Sequence, residues 1–225
     1  MEGLGYACRD NGLIFSCSFM GVCDAAAHFW HRRTEGTLPA QARQWGVDCG
    51  SCGEYTHCRL RCVSMNTTAE RRGDKFVLNG HKIYATNGPI ADLVLVFASE
   101  DISKGKHSVS AFLVERGTPG FTVKRTVSKM GMRTAQMGEL LFEACEIPAT
   151  NRLGTSGGGM AIFTHGMEWE RAFILAHAVG SMDYLLKRTT KFARKRKQFG
   201  QPISKFQQVA NKIVDMKLRL EHARL

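Results

Sequence analysis

No run of about 20 consecutive apolar residues occurs anywhere in the 225-residue chain, so no helix is expected to span a membrane. The opening Met1-Glu2-Gly3-Leu4-Gly5-Tyr6 leads into charged residues, with no apolar core and no small-residue cleavage site. No secretory signal is read there. Without one, a disulfide framework is not expected either, although the chain holds eight cysteines. Six of these (Cys17, Cys23, Cys49, Cys52, Cys58 and Cys62) crowd one stretch, leaving Cys8 and Cys145 outside. Cys49-Gly-Ser-Cys52, Cys58-x-x-x-Cys62 and His57 offer zinc-ligand chemistry, but only five residues separate the two pairs. Ordinary zinc modules leave about 12 to 20, and no metal site is assigned. Lysine and isoleucine are both missing from residues 17–64, where neither helical nor strand periodicity persists.

What the chain has in excess is positive charge: 31 Lys and Arg against 20 Asp and Glu, a formal net charge of +11. Such a balance suits nucleic acid, an anionic cofactor or an acidic partner. The excess concentrates in Lys187, Arg188, Lys191, Arg194, Lys195, Arg196 and Lys197. A single aromatic, Phe192, is interleaved with them and no zinc-finger or RNA-binding motif accompanies them, so nucleic acid is not the expected partner. The cluster closes an amphipathic helical pattern and runs into Phe199-Gly200-Gln201-Pro202, a helix end followed at once by a sharp turn. A fixed guanidinium, an amide and a ring side by side suit an anionic, partly aromatic ligand. A solvated helix end whose cations complement the helix dipole is the plainer alternative.

Three zones follow along the chain. Residues 1–16 are short and orderly, 17–64 are irregular, and 65–225 recover regular patterning and hold every lysine. In the third zone Lys75 to Leu78 and His81 to Thr86 flank Asn79-Gly80, which predicts a hairpin with a type I′ turn. Leu93 to Ala98 reads as a buried strand. Val109 to Val114, Phe121 to Val123 and Gly138 to Phe142 complete an antiparallel set, with Gly117-Thr118-Pro119-Gly120 as one separating turn. A β-sandwich or barrel of roughly 80 residues is expected. After Gly157-Gly158-Gly159 the period turns helical: one helix over Met167 to Lys197 with Gly180 at a close approach, and a second from an N-cap at Ser204 towards Leu225. The second ends in mid-pattern, and further helices are expected to cover the apolar face of the pair.

The order of these segments resembles the acyl-CoA dehydrogenase family. The resemblance rests on Tyr6 to Leu13, Leu78-Asn-Gly-His-Lys-Ile-Tyr-Ala-Thr-Asn-Gly88, Lys129-Met-Gly-Met-Arg-Thr134, Phe142 to Pro148, Met167-Glu-Trp-Glu-Arg171 and Arg196 to Ile203. It covers residues 1–16 and about 66–225. It implies an α+β fold: a remnant of an N-terminal helical domain at 1–16, an unmatched segment at 17–64, an antiparallel β-sandwich or barrel middle domain at 65–155, and a partial C-terminal helical bundle at 156–225. It further implies an FAD-dependent enzyme that oxidises an acyl-CoA thioester to its α,β-enoyl product. A carboxylate removes the α-proton while the β-hydride passes to the flavin. An electron-transfer flavoprotein or similar acceptor, a homotetrameric assembly and a cytoplasmic location (the mitochondrial matrix in a eukaryote) belong to the same expectation.

By matching positions, Thr86 is the hydroxyl that bonds the flavin ring, and Tyr84 stands where the family commonly has a tryptophan against the flavin. Arg196, with Gln198 and Phe199, reaches the FAD pyrophosphate of a neighbouring subunit; an arginine fork suits phosphate oxygens. Glu170 matches the base of the branches that carry it on this helix, where Trp169, Phe173 and Ile174 would raise its pKa. Glu168 and Arg171 match positions on the substrate side. The family's strand and flavin-contacting turn have no counterpart in 17–64. A shifted reading frame between two compensating indels is expected there, which translating the coding DNA in its other frames decides. A catalytically inactive fragment of such an enzyme is the competing expectation.

Overall fold

The computed structural model describes residues 45–47 and 66–225, apart from Met132, Thr134 and Ile174, and without the side chains of 45–47, 169, 170, 172 and 173. The expected helical remnant at 1–16 lies outside the described residues, as does the irregular zone with its cysteine pairs, except for Trp45–Val47. Two compact units emerge, one reaching Arg171 and the other taking in Ala172–Leu225.

The first unit is an eight-stranded sheet. Its strands are β1 (Trp45–Val47), β2 (Thr68–Arg72), β3 (Lys75–Thr86), β4 (Leu93–Ser99), β5 (Val109–Glu115), β6 (Phe121–Thr126), β7 (Met137–Pro148) and β8 (Arg152–Leu153). The order is β6-β7-β3-β1-β4-β5-β8, and β2 also joins β3 to β4. Neighbours pair antiparallel, as expected, except that β1 and β2 lie parallel to β4. β4 is buried along its whole length, Leu93 to Ser99, because both of its faces are covered. Val94, Val96 and Ala98 meet Phe76, Leu78, Phe112, Val114, Leu140 and Phe142 on one face. Leu93, Leu95 and Phe97 meet Val109, Ala111, Leu113 and Ile162 on the other. Each Val, Leu, Ile or Phe side chain among them contributes about 1.5–3 kcal/mol on leaving water, which makes this double-faced strand the centre of the unit.

The expected hairpin at Asn79-Gly80 does not form. β3 runs straight through both residues, with a register shift against β7 between Leu78 and Gly80. A type I′ turn needs positive φ at both central residues, and Asn79 does not have it. Its side-chain oxygen instead accepts the Ala144 N–H at 2.7 Å, filling the irregularity. Gly80 is required for another reason: a Cβ there would lie 2.7 Å from the Cα of Thr67. The real hairpin joins β2 to β3 through Gly73, whose φ is +65°.

The single helix expected over Met167–Lys197 is two helices, and the first begins earlier: α1 (Gly159–Phe173) and α2 (Ala176–Lys195). Leu175, at ψ −2°, ends the regular run, and its carbonyl accepts from both Ala178 and Val179. Met160, Ile162 and Phe163 of α1 pack on the outer face of β4, Phe163 edge-on to Phe97 with ring centroids 5.7 Å apart. In the second unit α2 leads to β9 (Lys197–Gln198) and β10 (Gln201–Pro202), then to α3 (Gln207–Arg224). Ser204 is not the N-cap: Ile203–Lys205 form a 3-10 turn and Phe206 holds the cap without a side-chain bond. Gly180, Ala193 and Leu220 are the buried residues of the pair, and Asp183 of α2 faces both Lys187 at 2.6 Å and Arg224 of α3 at 3.7 Å.

Candidate functional site

The strand end Tyr84-Ala85-Thr86-Asn87 holds two left-handed residues within four positions. Pairing of β3 with β7 slips between Lys82 and Ala85, and Tyr84 sits in the slip with φ +61°. A left-handed backbone costs an L-residue about 1–2 kcal/mol. The bulge turns the phenol outward, 46 % exposed, while Ala85 beside it is 1 % exposed. Thr86 is half-buried and pairs with Met137 of β7 and Val47 of β1. Asn87 follows with φ +58° and is buried.

That second left-handed residue is held from several sides. Its N–H donates to the Gln136 carbonyl at 2.7 Å, and its carbonyl accepts from Ile90 at 3.0 Å and Ala91 at 2.8 Å. Arg116, in the turn after β5, donates from Nε to the Ala91 carbonyl at 2.8 Å and from Nη2 to the Pro89 carbonyl at 2.9 Å. On the opposite side Gly138 leaves no room for a side chain, since a Cβ would lie 2.5 Å from Pro89 Cγ. Sequence reasoning singled out Tyr84 and Thr86 but missed Arg116. The turn Gly117-Thr118-Pro119-Gly120 marks its neighbourhood, yet nothing local shows that its partners lie 25 and 27 residues upstream.

Next to this segment Glu139 is buried and accepts from Arg125 Nε at 2.5 Å and from His81 Nε2 at 3.2 Å. The Arg125 hydrogen bond holds its carboxyl below the ordinary carboxylate value against the opposing cost of burial, and His81 adds in the same direction. Cys145, a buried free thiol, is pushed up to about 11 by burial, which leaves it a packing residue and not a nucleophile.

α1 carries Glu168, Glu170 and Arg171. Glu168 and Arg171 are exposed and stand one turn apart on neighbouring positions of the helix surface. Position 170 follows 168 by two residues, about 200° round the axis. The Glu170 side chain lies outside the described residues.

The second unit presents Arg196, Gln198 and Phe199. α2 stops at Lys195; the Arg196 N–H caps it by donating to the Phe192 carbonyl at 2.9 Å, and the Arg196 carbonyl accepts from Ile203 at 2.8 Å. β9 and β10 pair between these points, and the two residues joining them, Phe199 and Gly200, have φ of +51° and +77°. Two positive φ angles in a two-residue loop make this a type I′ turn. A phenylalanine in that conformation is an outlier. It is 93 % exposed and its ring meets Phe206 edge-on, with centroids 6.2 Å apart. Arg196, Lys197 and Gln198 are all exposed, and neither cation has an ion-pair partner among the described residues.

Comparison with known proteins matches residues 58–145 to the acyl-CoA dehydrogenase middle domain and 157–225 to the acyl-CoA dehydrogenase C-terminal domain. The L-prolyl-[peptidyl-carrier protein] dehydrogenase of Pseudomonas fluorescens is 43 % identical over 229 residues, covering 100 % of this chain and 60 % of that protein. Among solved structures, the prolyl acyl carrier protein oxidase AnaB superposes with a TM-score of 0.83 at 48 % identity, covering 99 % of this chain and 60 % of that one. PigA with FAD and proline gives 0.78 at 34 % identity, covering 99 % and 59 %. The chain thus spans about three fifths of the length of these three relatives.

Proposed function

Because this chain belongs to the acyl-CoA dehydrogenase family, we propose that the protein is an FAD-dependent oxidoreductase that removes two hydrogens from the α and β carbons of a thioester. The observation that carries the reading is that two of the four left-handed non-glycine residues among the described residues, Tyr84 and Phe199, lie in segments that the resemblance assigns to the cofactor. Left-handed non-glycine residues persist where the surroundings over-determine them, and they cluster at ligand sites. The donors present suit FAD. Thr86 brings a hydroxyl beside an outward-turned phenol, and Arg196 brings a guanidinium free of ion pairs among the described residues, with the Gln198 amide two residues on. When bound, FAD accepts the hydride that leaves the β-carbon.

The residues of this chain divide the remaining work. Glu170 takes the α-proton, and Glu168 and Arg171 line the substrate side. Tyr84 shields the flavin and Thr86 hydrogen-bonds it. Arg196, Gln198 and Phe199 hold the pyrophosphate end for a neighbouring subunit, which makes the working protein a homo-oligomer. An electron-transfer flavoprotein or similar acceptor would be the electron partner of the loaded protein.

A specific observation favours a carrier-bound prolyl group over a free acyl-CoA as the thioester. The prolyl relative and AnaB match this chain over 100 % and 99 % of its length, at 43 % and 48 % identity. A formal charge of +11 suits an acidic carrier or a polyphosphate arm equally, so charge does not choose between them. The test is anaerobic titration of the purified, FAD-loaded protein. Bleaching of the visible flavin band by a prolyl carrier protein supports the second reading, and bleaching by an acyl-CoA alone supports the first. A colourless protein that takes up no FAD refutes both and leaves the inactive fragment.

A further inference from the structure

We propose that Glu100 is a positioning residue for the reaction: it locks the glycine-rich entry of α1 onto the sheet and so fixes where that helix carries Glu168, Glu170 and Arg171. The inference rests on the reading of Glu170 as base.

The Glu100 carboxylate, with a side chain 17 % exposed, gathers three donors from three places in the chain. Ser110 of β5 donates at 2.5 Å, Ser156 at 2.7 Å, and Arg152 of β8 at 3.3 Å. Ser110, fully buried, also accepts the backbone N–H of Gly157 at 2.9 Å. One hydroxyl therefore ties the carboxylate to the main chain of the entry segment. Arg152 is itself set over the Phe76 ring at 5.5 Å, which anchors it to the core.

The glycines complete the lock. A Cβ on Gly157 would lie 2.2 Å from the His107 carbonyl oxygen, and one on Gly159 would lie 2.8 Å from that of Val109. The entry segment thus lies directly on the main chain at the start of β5. Met160, Ile162 and Phe163 then seat the first turns of α1 on the sheet. From Phe163 to position 170 the helix rises about 10 Å, so a displacement at its origin is carried along to position 170. A carboxylate with this many charge-assisted and hydroxyl bonds is an expensive arrangement for a surface link, and its geometric effect is to set the origin of that helix.

The test is E100Q in the full FAD-loaded chain, with S156A as a milder variant that removes one donor and leaves no charge unpaired. Glutamine replaces one acceptor oxygen with a donor, so the side chain no longer accepts from Ser110, Ser156 and Arg152 together, and the negative charge facing Arg152 is lost. Amide exchange at residues 157–163 is expected to rise about tenfold or more. kcat is expected to fall about tenfold with KM changed less than about twofold, the pattern for a displaced catalytic group. The α-deuterium isotope effect on flavin reduction should increase, and E100D should restore part of the rate. If either variant lowers thermal stability while kcat per bound flavin and the isotope effect stay at the original values, Glu100 is structural and the proposal fails. E170Q, run in parallel, separates the two ideas: an unchanged rate there overturns the base assignment, while the exchange data still decide whether the lock exists.

Discussion

Phe199→Asn should move stability and cofactor affinity in opposite directions. Phe199 occupies the first central position of a type I′ turn at φ +51°, with Gly200 at +77°. An L-residue pays about 1–2 kcal/mol for that backbone, and asparagine pays least among residues that have a side chain. The compensation visible in the structure is small. Phe199 is 93 % exposed and its ring meets Phe206 edge-on with centroids 6.2 Å apart. Aromatic pairs contribute about 0.5–1.5 kcal/mol, and a pair this open to water belongs at the low end. The difference leaves a gain of about 1 kcal/mol for asparagine, or a melting temperature about 4–8 °C higher for a unit of this size. Calorimetry on the apo-protein measures it, and a lower melting temperature for F199N would refute the strain argument. If the ring serves the cofactor, FAD affinity of the same variant must fall, read by flavin fluorescence. A stabilised variant with unchanged affinity removes Phe199 from the site.

Glu139 predicts a pH dependence. Its carboxyl is held below the ordinary value mainly by the Arg125 hydrogen bond, so it favours the fold at pH above the unfolded-state pKa, and that contribution is lost as pH falls through the folded-state value. The stability gap between the original protein and E139Q should be open at about pH 7 and close below about pH 4, as read from urea midpoints. A gap that widens on acidification reverses the sign and the argument. Two glycines with positive φ separate strain from space. Gly73→Ala at φ +65° has nothing within 4 Å and should cost about 1 kcal/mol, whereas Gly157→Ala at φ +74° meets the His107 oxygen and should cost about 2–3 kcal/mol. Equal losses in chemical denaturation would mean that the close approach at Gly157 yields freely.

The strands with both faces covered were the easiest to read, because burial of Leu93 to Ser99 on two sides demands an unbroken apolar run. Turn chemistry misled at Asn79-Gly80, whereas the sharp turn expected at Phe199-Gly200 is present. Asn79-Gly80 carries the residues of a type I′ turn and forms none, while Phe199-Gly200 lacks the usual asparagine and forms one. At Asn79-Gly80 partners elsewhere in the chain decide, and at Phe199-Gly200 a local bond does. Asn79 is held by Ala144, 65 residues on, and Gly80 by the approach of Thr67, whereas the turn at Phe199 is closed by the bond from Ile203 to Arg196. The break at Leu175 was hidden for a different reason, since apolar periodicity continues across it and periodicity reports a face, not a hydrogen-bond ladder.

The site divides along the same line. Tyr84, Thr86, Arg196 and Phe199 were found through the order of short motifs, and the structure adds what motif order cannot carry: two of the four stand in left-handed backbone. Arg116 and Glu100 were invisible because each acts on chain far from it, Glu100 on Ser110, Arg152 and Ser156 at separations of 10, 52 and 56 residues. Local sequence singles out candidate ligand groups, since ligand chemistry restricts the residue type. Groups that hold those residues in place need only a donor or an acceptor at the right point in space, which many residue types and many spacings supply. The positioning network is therefore where a structure adds most to a family assignment, and where a substitution far from the chemistry would be the hardest to anticipate from sequence.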